Sequence, residues 1–236
     1  MVDIMVKENY LSIKENVANI ARKSNRDESD VTLIAVSKTK PIELLKEAYE
    51  AGARDFGENH VQEIVDKYPQ MPNDVRWHMI GHLQTNKVKY IVDKVYMIHS
   101  VDSYKLAKEI SKQALKFNVD VNILIEVNVG EEETKFGLNT SEVEELVRLI
   151  SELPNIKIRG LMTVAPYVDD AEKNRSIFSA LKQLSVDIAR KNIDNVNMDC
   201  LSMGMSGDYE VAISEGATFV RVGTSIFGSR EYRIKE

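Results

Sequence analysis

Val121-Asn122-Ile123-Leu124-Ile125-Glu126-Val127-Asn128 is the stretch on which the fold turns. It is short, apolar and rich in β-branched residues, the composition of a strand buried on both faces. A helical pattern follows over about 141–152, with Thr140 or Ser141 as its cap, and then a second such run, Ile156-Lys157-Ile158-Arg159-Gly160-Leu161-Met162. Strand, helix and strand in that order make a βαβ unit and a parallel sheet.

The same alternation extends in both directions. Upstream runs are Thr32–Ser37, Arg54–Gly57, Arg76–Ile80 and Val95–His99; downstream runs fall at about 197–202 and at Ala217–Val222. Helical patterns separate almost all of them. One starts at Pro41 and ends at Gly52; others cover about 58–68, the segment after Gln84, the segment capped by Asp102 or Ser103, about 170–191, and about 207–215. A helix over about 4–24 precedes the first strand. Eight strands in this order predict one closed (β/α)8 TIM-type barrel spanning residues 1–236, with an open doubly wound sheet as the competing arrangement. Only about 12 residues follow the last strand, so the final outer helix is expected to be short, and the N-terminal helix to cover the gap.

Composition narrows the partners. The formal net charge of -6 disfavours nucleic acid and anionic membrane, both of which reward a basic face. No run of 18 apolar residues predicts a membrane span, and the N-terminus lacks the order of a secretory signal. The one cysteine, Cys200, excludes an intrachain disulfide; a cytoplasmic location and a small buried thiol are expected. No exposed apolar stripe stands out, so a monomer is expected. The four histidines, His60, His78, His82 and His99, show no helical metal-ligand spacing, and no metal site is expected.

In such a barrel, chemistry sits at the C-terminal ends of the strands. Lys38 follows the apolar run Ala35-Val36-Ser37. Desolvation at a barrel mouth exposes the neutral amine that Schiff-base chemistry needs, although its position alone favours a surface lysine at a strand end, which is also the reading of Lys40. Ser202-Met203-Gly204-Met205-Ser206 and Val222-Gly223-Thr224 end strands seven and eight, the usual phosphate position, and a helix starting near Ser206 would turn its amides toward an anion. Tight, capped turns would read the same way. Arg221 lies within Phe219-Val220-Arg221-Val222 and requires an acceptor inside the barrel: a carboxylate such as Glu126, or a ring nitrogen of a bound cofactor.

Six segments taken together resemble one known family. They are Ala35–Thr39, Phe56–Asn59, Trp77–Lys87, Gly160–Thr163, Ser202–Ser206 and Arg221–Thr224. The chain resembles the pyridoxal phosphate homeostasis proteins, relatives of the barrel domain of alanine racemase and of the fold type III pyridoxal 5′-phosphate (PLP) proteins. The resemblance implies a PLP Schiff base on Lys38. It implies a phosphate held by Ser206, Gly223 and Thr224, and Arg221 facing the pyridine nitrogen. Asn59 is implied near the ring face or its O3′ side, with Ser202 and Met203 close by; His82 is given no role. Because a length of 236 leaves no second domain to close the site or supply an acid/base residue, the expectation is a PLP carrier serving PLP-dependent apo-enzymes, with no catalytic residue. The competing readings are a stand-alone amino-acid racemase or decarboxylase, and a phosphosugar enzyme or lysine aldolase on the same fold.

Overall fold

The computed structural model describes residues 5–130, 132 and 136–228. Eight parallel strands close on themselves in chain order: β1 (Thr32–Val36), β2 (Asp55–Glu58), β3 (Arg76–Met79), β4 (Val95–Val101), β5 (Val121–Glu126), β6 (Ile156–Met162), β7 (Val196–Met205) and β8 (Phe219–Val222). β1 pairs with both β2 and β8, with Ile34 opposite Arg221, so the sheet has no free edge.

The two-residue period of a strand sorts each run into two cores. Leu33, Ala35, Phe56, Trp77, Ile123, Ile125, Val220 and Val222 face the helices in the larger, outer core. Ile34, Val36, Met97, Leu124, Met162, Cys200 and Phe219 pack along the barrel axis. Lys38 continues the parity of Ile34 and Val36, which carries it to the mouth.

Eight helices are described: α1 (Val6–Lys23), α2 (Ile42–Glu50), α3 (Val61–Lys67), α4 (Tyr104–Phe117), α5 (Val143–Ser151), α6 (Arg175–Ala189), α7 (Tyr209–Ser214) and α8 (Thr224–Phe227). α8 is a single turn, and α1 fills the outer ring beside it. α1 packs on α2, α7 and α8, with Asn9 Nδ2 donating to Ile226 O at 3.1 Å and Asn16 Nδ2 to the Tyr209 hydroxyl at 2.7 Å. Ser103 caps α4 by accepting from Leu106 N.

Local departures from the sequence reading have local causes. The segment after Gln84 is a 3₁₀ helix, Thr85–Tyr90, rather than an α-helix. Asn139, not Thr140 or Ser141, caps the turn that leads into α5, through a reciprocal pair with Glu142. β7 runs on to Met205, past the expected 202. The helix expected near Ser206 starts at Tyr209, because Asp208 N closes a turn onto Met205 O and its Oδ1 takes Met205 N at 2.7 Å. The segment after β7 that was expected to offer a helix N-terminus to an anion is therefore a turn.

Candidate functional site

A cavity of about 530 Å³ opens at the C-terminal ends of the strands, a size that suits a small cofactor. Its lining includes Lys38, Asn59, Ser206, Arg221, Gly223 and Thr224, so all six residues singled out in the sequence face one space. Ser202 lies inside the barrel, fully buried in β7 and bonded to Arg221, whereas Met203, expected close by, belongs to the outer core that faces the helices, and Met205 lines the cavity instead.

The turns after β7 and β8 meet there. Gly223 N donates to Ser206 Oγ at 3.3 Å. A Cβ on Gly223 would sit 3.2 Å from Val36 O and 3.3 Å from Val36 Cβ, so a side chain would push β8 from β1 where the turn approaches most closely. Backbone N–H and hydroxyl groups are thus brought to the mouth, the donor set that suits a phosphate.

Arg221 rises from the barrel axis and is buried. Its Nη1 donates to Ser202 Oγ at 2.6 Å and its Nη2 to Thr163 O at 2.8 Å. Burial pushes its pKa down to about 10, opposed by the charges of Glu126 and Asp208, and it stays a cation at neutral pH. The carboxylate partner considered for it, Glu126, therefore acts through charge while a hydroxyl and a carbonyl take the hydrogen bonds. Burial and the nearby Asp102 push Glu126 up to about 7, against the pull of Arg221.

The residues flanking Lys38 are held by a cluster that sequence reading missed. Lys67, at the end of α3, sends its Nζ to Ser37 O (2.9 Å), Glu58 Oε1 (2.8 Å) and Glu63 Oε1 (3.0 Å). The Ser37 hydroxyl donates to the same Glu58 oxygen at 2.6 Å, and Thr39 N donates to Glu63 Oε1 at 2.6 Å. The residues on both sides of Lys38 are thereby clamped. Thr39 pays for this with a φ of +63°, which is costly for a β-branched residue, on the order of 1–3 kcal/mol. Burial pushes Glu58 up to about 7 although Lys67 and Ser37 pull it down. The usable signal was the Glu63, Lys67 pair, four apart on one helix face.

Asn59 is fixed from below. A Cβ on Gly81 would lie 2.5 Å from Asn59 O and 2.7 Å from Asn59 Cα, so the turn after β3 supports the Asn59 backbone only while residue 81 has no side chain. Lys40 is not the plain surface lysine expected. Its Nζ donates to Phe227 O (2.8 Å) and Gly228 O (3.0 Å), tying the segment after β1 to the end of α8. His82 stacks on Phe136 with ring centroids 4.2 Å apart. Cys200 is buried, and burial with the neighbouring Asp199 pushes its thiol up to about 12, an inert state. Among the described residues no group of three or more His, Cys, Asp or Glu is placed to hold a metal, and no helix is long and apolar enough to cross a membrane.

Residues 9–231 match the family model of the alanine racemase N-terminal domain. The pyridoxal phosphate homeostasis protein of Aquifex aeolicus is 47% identical over 221 residues, covering 93% of this chain and 96% of the relative. That of Pseudomonas aeruginosa is 38% identical over 228 residues, covering 96% of each. Among solved structures, PipY of Synechococcus elongatus PCC7942 with PLP bound is 33% identical and superposes with a TM-score of 0.83, covering 94% of this chain and 100% of PipY. Alanine racemase from Corynebacterium glutamicum is 14% identical with a TM-score of 0.67, a likeness of fold. The chain belongs to the pyridoxal phosphate homeostasis protein family, built on the alanine racemase N-terminal domain.

Proposed function

We propose that this chain binds PLP as a Schiff base on Lys38 and holds it without robust turnover, as a homeostatic carrier from which PLP-dependent apo-enzymes are supplied. The observation that carries the reading is one cavity that brings together a primary amine, a buried arginine and two converging polar turns. The family's name and the PLP-bound structure of PipY support it.

The residues fit the cofactor. Lys38 would supply the amine for the aldehyde; Ser206, Gly223 and Thr224 would hold the phosphate; Arg221 would meet the pyridine nitrogen, and Asn59 would contact the ring or its O3′. A guanidinium has five N–H donors, and Arg221 uses two on Ser202 and Thr163, leaving donors for the ring nitrogen. When bound, the group supplies a masked aldehyde and an electron sink, weakened because an arginine does not protonate the ring nitrogen.

The same lining argues against turnover. Among the described residues, its titratable side chains are Lys38, Tyr167, Asp208 and Arg221. Both Asp208 oxygens are engaged, one by Met205 N and one by Asn174 Nδ2. Tyr167 is 94% exposed, so water reaches the site beside it. A poised acid or base opposite Lys38 is what a racemase or decarboxylase needs, and these residues do not provide it.

The test is a PLP titration of the purified protein followed by absorbance. The expected result is a stoichiometric visible band, absent in Lys38→Ala, with no sustained conversion of amino acids. A colourless protein, or steady turnover, contradicts the reading.

A further inference from the structure

We propose that a hydrogen-bond chain through the barrel core, running from Arg76 and Asp55 through His78, His99 and Ser202 to Arg221, holds both imidazoles as neutral Nε2–H tautomers and makes His78, His99 and Ser202 positioning residues for the Arg221 guanidinium. The role toward the ring nitrogen rests on the function proposed above; the tautomers do not.

The chain crosses the barrel from its N-terminal to its C-terminal mouth. Arg76 Nη2 lies 2.5 Å from Asp55 Oδ2, at the starts of β3 and β2. Asp55 Oδ1 lies 2.9 Å from His78 Nε2. His78 Nδ1 lies 2.9 Å from His99 Nε2, and His99 Nδ1 lies 2.9 Å from Ser202 Oγ. Ser202 Oγ receives Arg221 Nη1 at 2.6 Å. Both histidines and Ser202 are wholly buried. The Phe219 ring seals both imidazoles, with centroids 5.5 Å from His78 and 5.6 Å from His99, and Tyr96 covers His78 at 5.4 Å.

Donor and acceptor chemistry fixes the direction of every hydrogen. Burial alone would raise the Asp55 pKa, but the bonds from His78 and Arg76 bring it below its ordinary value, so Asp55 is a carboxylate and only accepts. His78 therefore carries hydrogen on Nε2. Burial disfavours the charged form of both rings; at His78 it outweighs the hydrogen bond and charge of Asp55, which favour the imidazolium, and Arg76 adds repulsion, while His78 and Arg221 add it at His99. A neutral His78 then offers a lone pair at Nδ1, which His99 Nε2–H fills. His99 Nδ1 in turn accepts the Ser202 hydroxyl hydrogen, and the Ser202 oxygen is left to accept from Arg221. Each donor in the chain meets one acceptor, and all dipoles point from Arg221 toward the Asp55 carboxylate, an alignment that stabilises a buried cation. The reversed arrangement needs a charged His78 between two arginines. It also makes Ser202 accept twice while its own hydrogen loses the His99 acceptor.

The test has two parts. In cofactor-free protein labelled with ¹⁵N-histidine, long-range ¹H–¹⁵N spectra at neutral pH should show His78 and His99 neutral, with hydrogen on Nε2 of each. An imidazolium or an Nδ1–H signal at either ring overturns the proposal, whether or not PLP binds. In PLP titrations, Ser202→Ala should shift the visible band and weaken affinity about tenfold, the worth of one buried charge-assisted bond, while borohydride still traps PLP. His99→Gln, which keeps one donor and one acceptor, should retain more affinity than His99→Leu. Unchanged band and affinity in Ser202→Ala, or equal losses in the two His99 variants, overturn the positioning role. A wild-type protein that never takes up PLP sinks the proposed function and leaves the tautomer assignment standing on its own result.

Discussion

Ser206 Oγ accepts a hydrogen bond from Gly223 N across 17 residues of sequence, joining the turns that end β7 and β8. This contact turns two ordinary loops into one polar cup. Ser206→Ala removes a hydroxyl from that cup and is expected to weaken PLP retention about tenfold with no loss of the Lys38 linkage. Equilibrium dialysis against PLP, followed by borohydride trapping, measures both.

The Lys67 cluster yields a stability prediction. Lys67→Met leaves Glu58 buried without its cation, at a cost of about 3 kcal/mol at pH 8. The cost should shrink at pH 6, where Glu58 takes up a proton. Adding Glu58→Gln to Lys67→Met should recover part of it. Urea midpoints at the two pH values read the effect, and a change below about 0.5 kcal/mol would place the pair with ordinary surface ion pairs.

Glu126 gives a pH dependence with a definite sign. Its carboxyl is pushed up to about 7 in the folded chain from an ordinary value of 4.5, so the folded state binds more protons than the unfolded between these values. Its contribution to stability is full below the unfolded value and is lost as pH rises toward 7. Glu126→Gln should flatten the stability–pH curve across that window and be more stable than wild type at pH 8, on the order of 2–3 kcal/mol. Denaturant titrations of both proteins at pH 5, 6, 7 and 8 decide it; parallel curves would refute the assignment.

Gly81→Ala probes how Asn59 is supported. The added methyl meets Asn59 backbone atoms, not a movable side chain, so Asn59 must shift. The expectation is a loss of about 1–3 kcal/mol in stability with a several-fold weaker affinity for PLP, read by thermal unfolding and titration. Wild-type affinity in this variant would remove Asn59 from the site.

The barrel was legible because its evidence is local. Runs such as Val121–Glu126 and Ile156–Met162 carry their strand character in their own residues, and Lys38, Arg221 and the Ser206 and Gly223 turns stand at recognisable strand ends. What holds them was not legible. Lys67 reads as the end of a helix until β1 and β2 pair in register beside it. His78 and Ser202 are 124 positions apart, and only barrel closure brings both within reach of His99. The late start of α7 depends on one side-chain bond, from Met205 N to Asp208, which no propensity encodes.

The most direct measurement is peptide mapping after borohydride reduction of the PLP-loaded protein. The account predicts a single pyridoxyl-phosphate adduct on the peptide carrying Lys38, and none in Lys38→Ala. An adduct on Lys40, Lys67 or another lysine, with Lys38 unmodified, would contradict it.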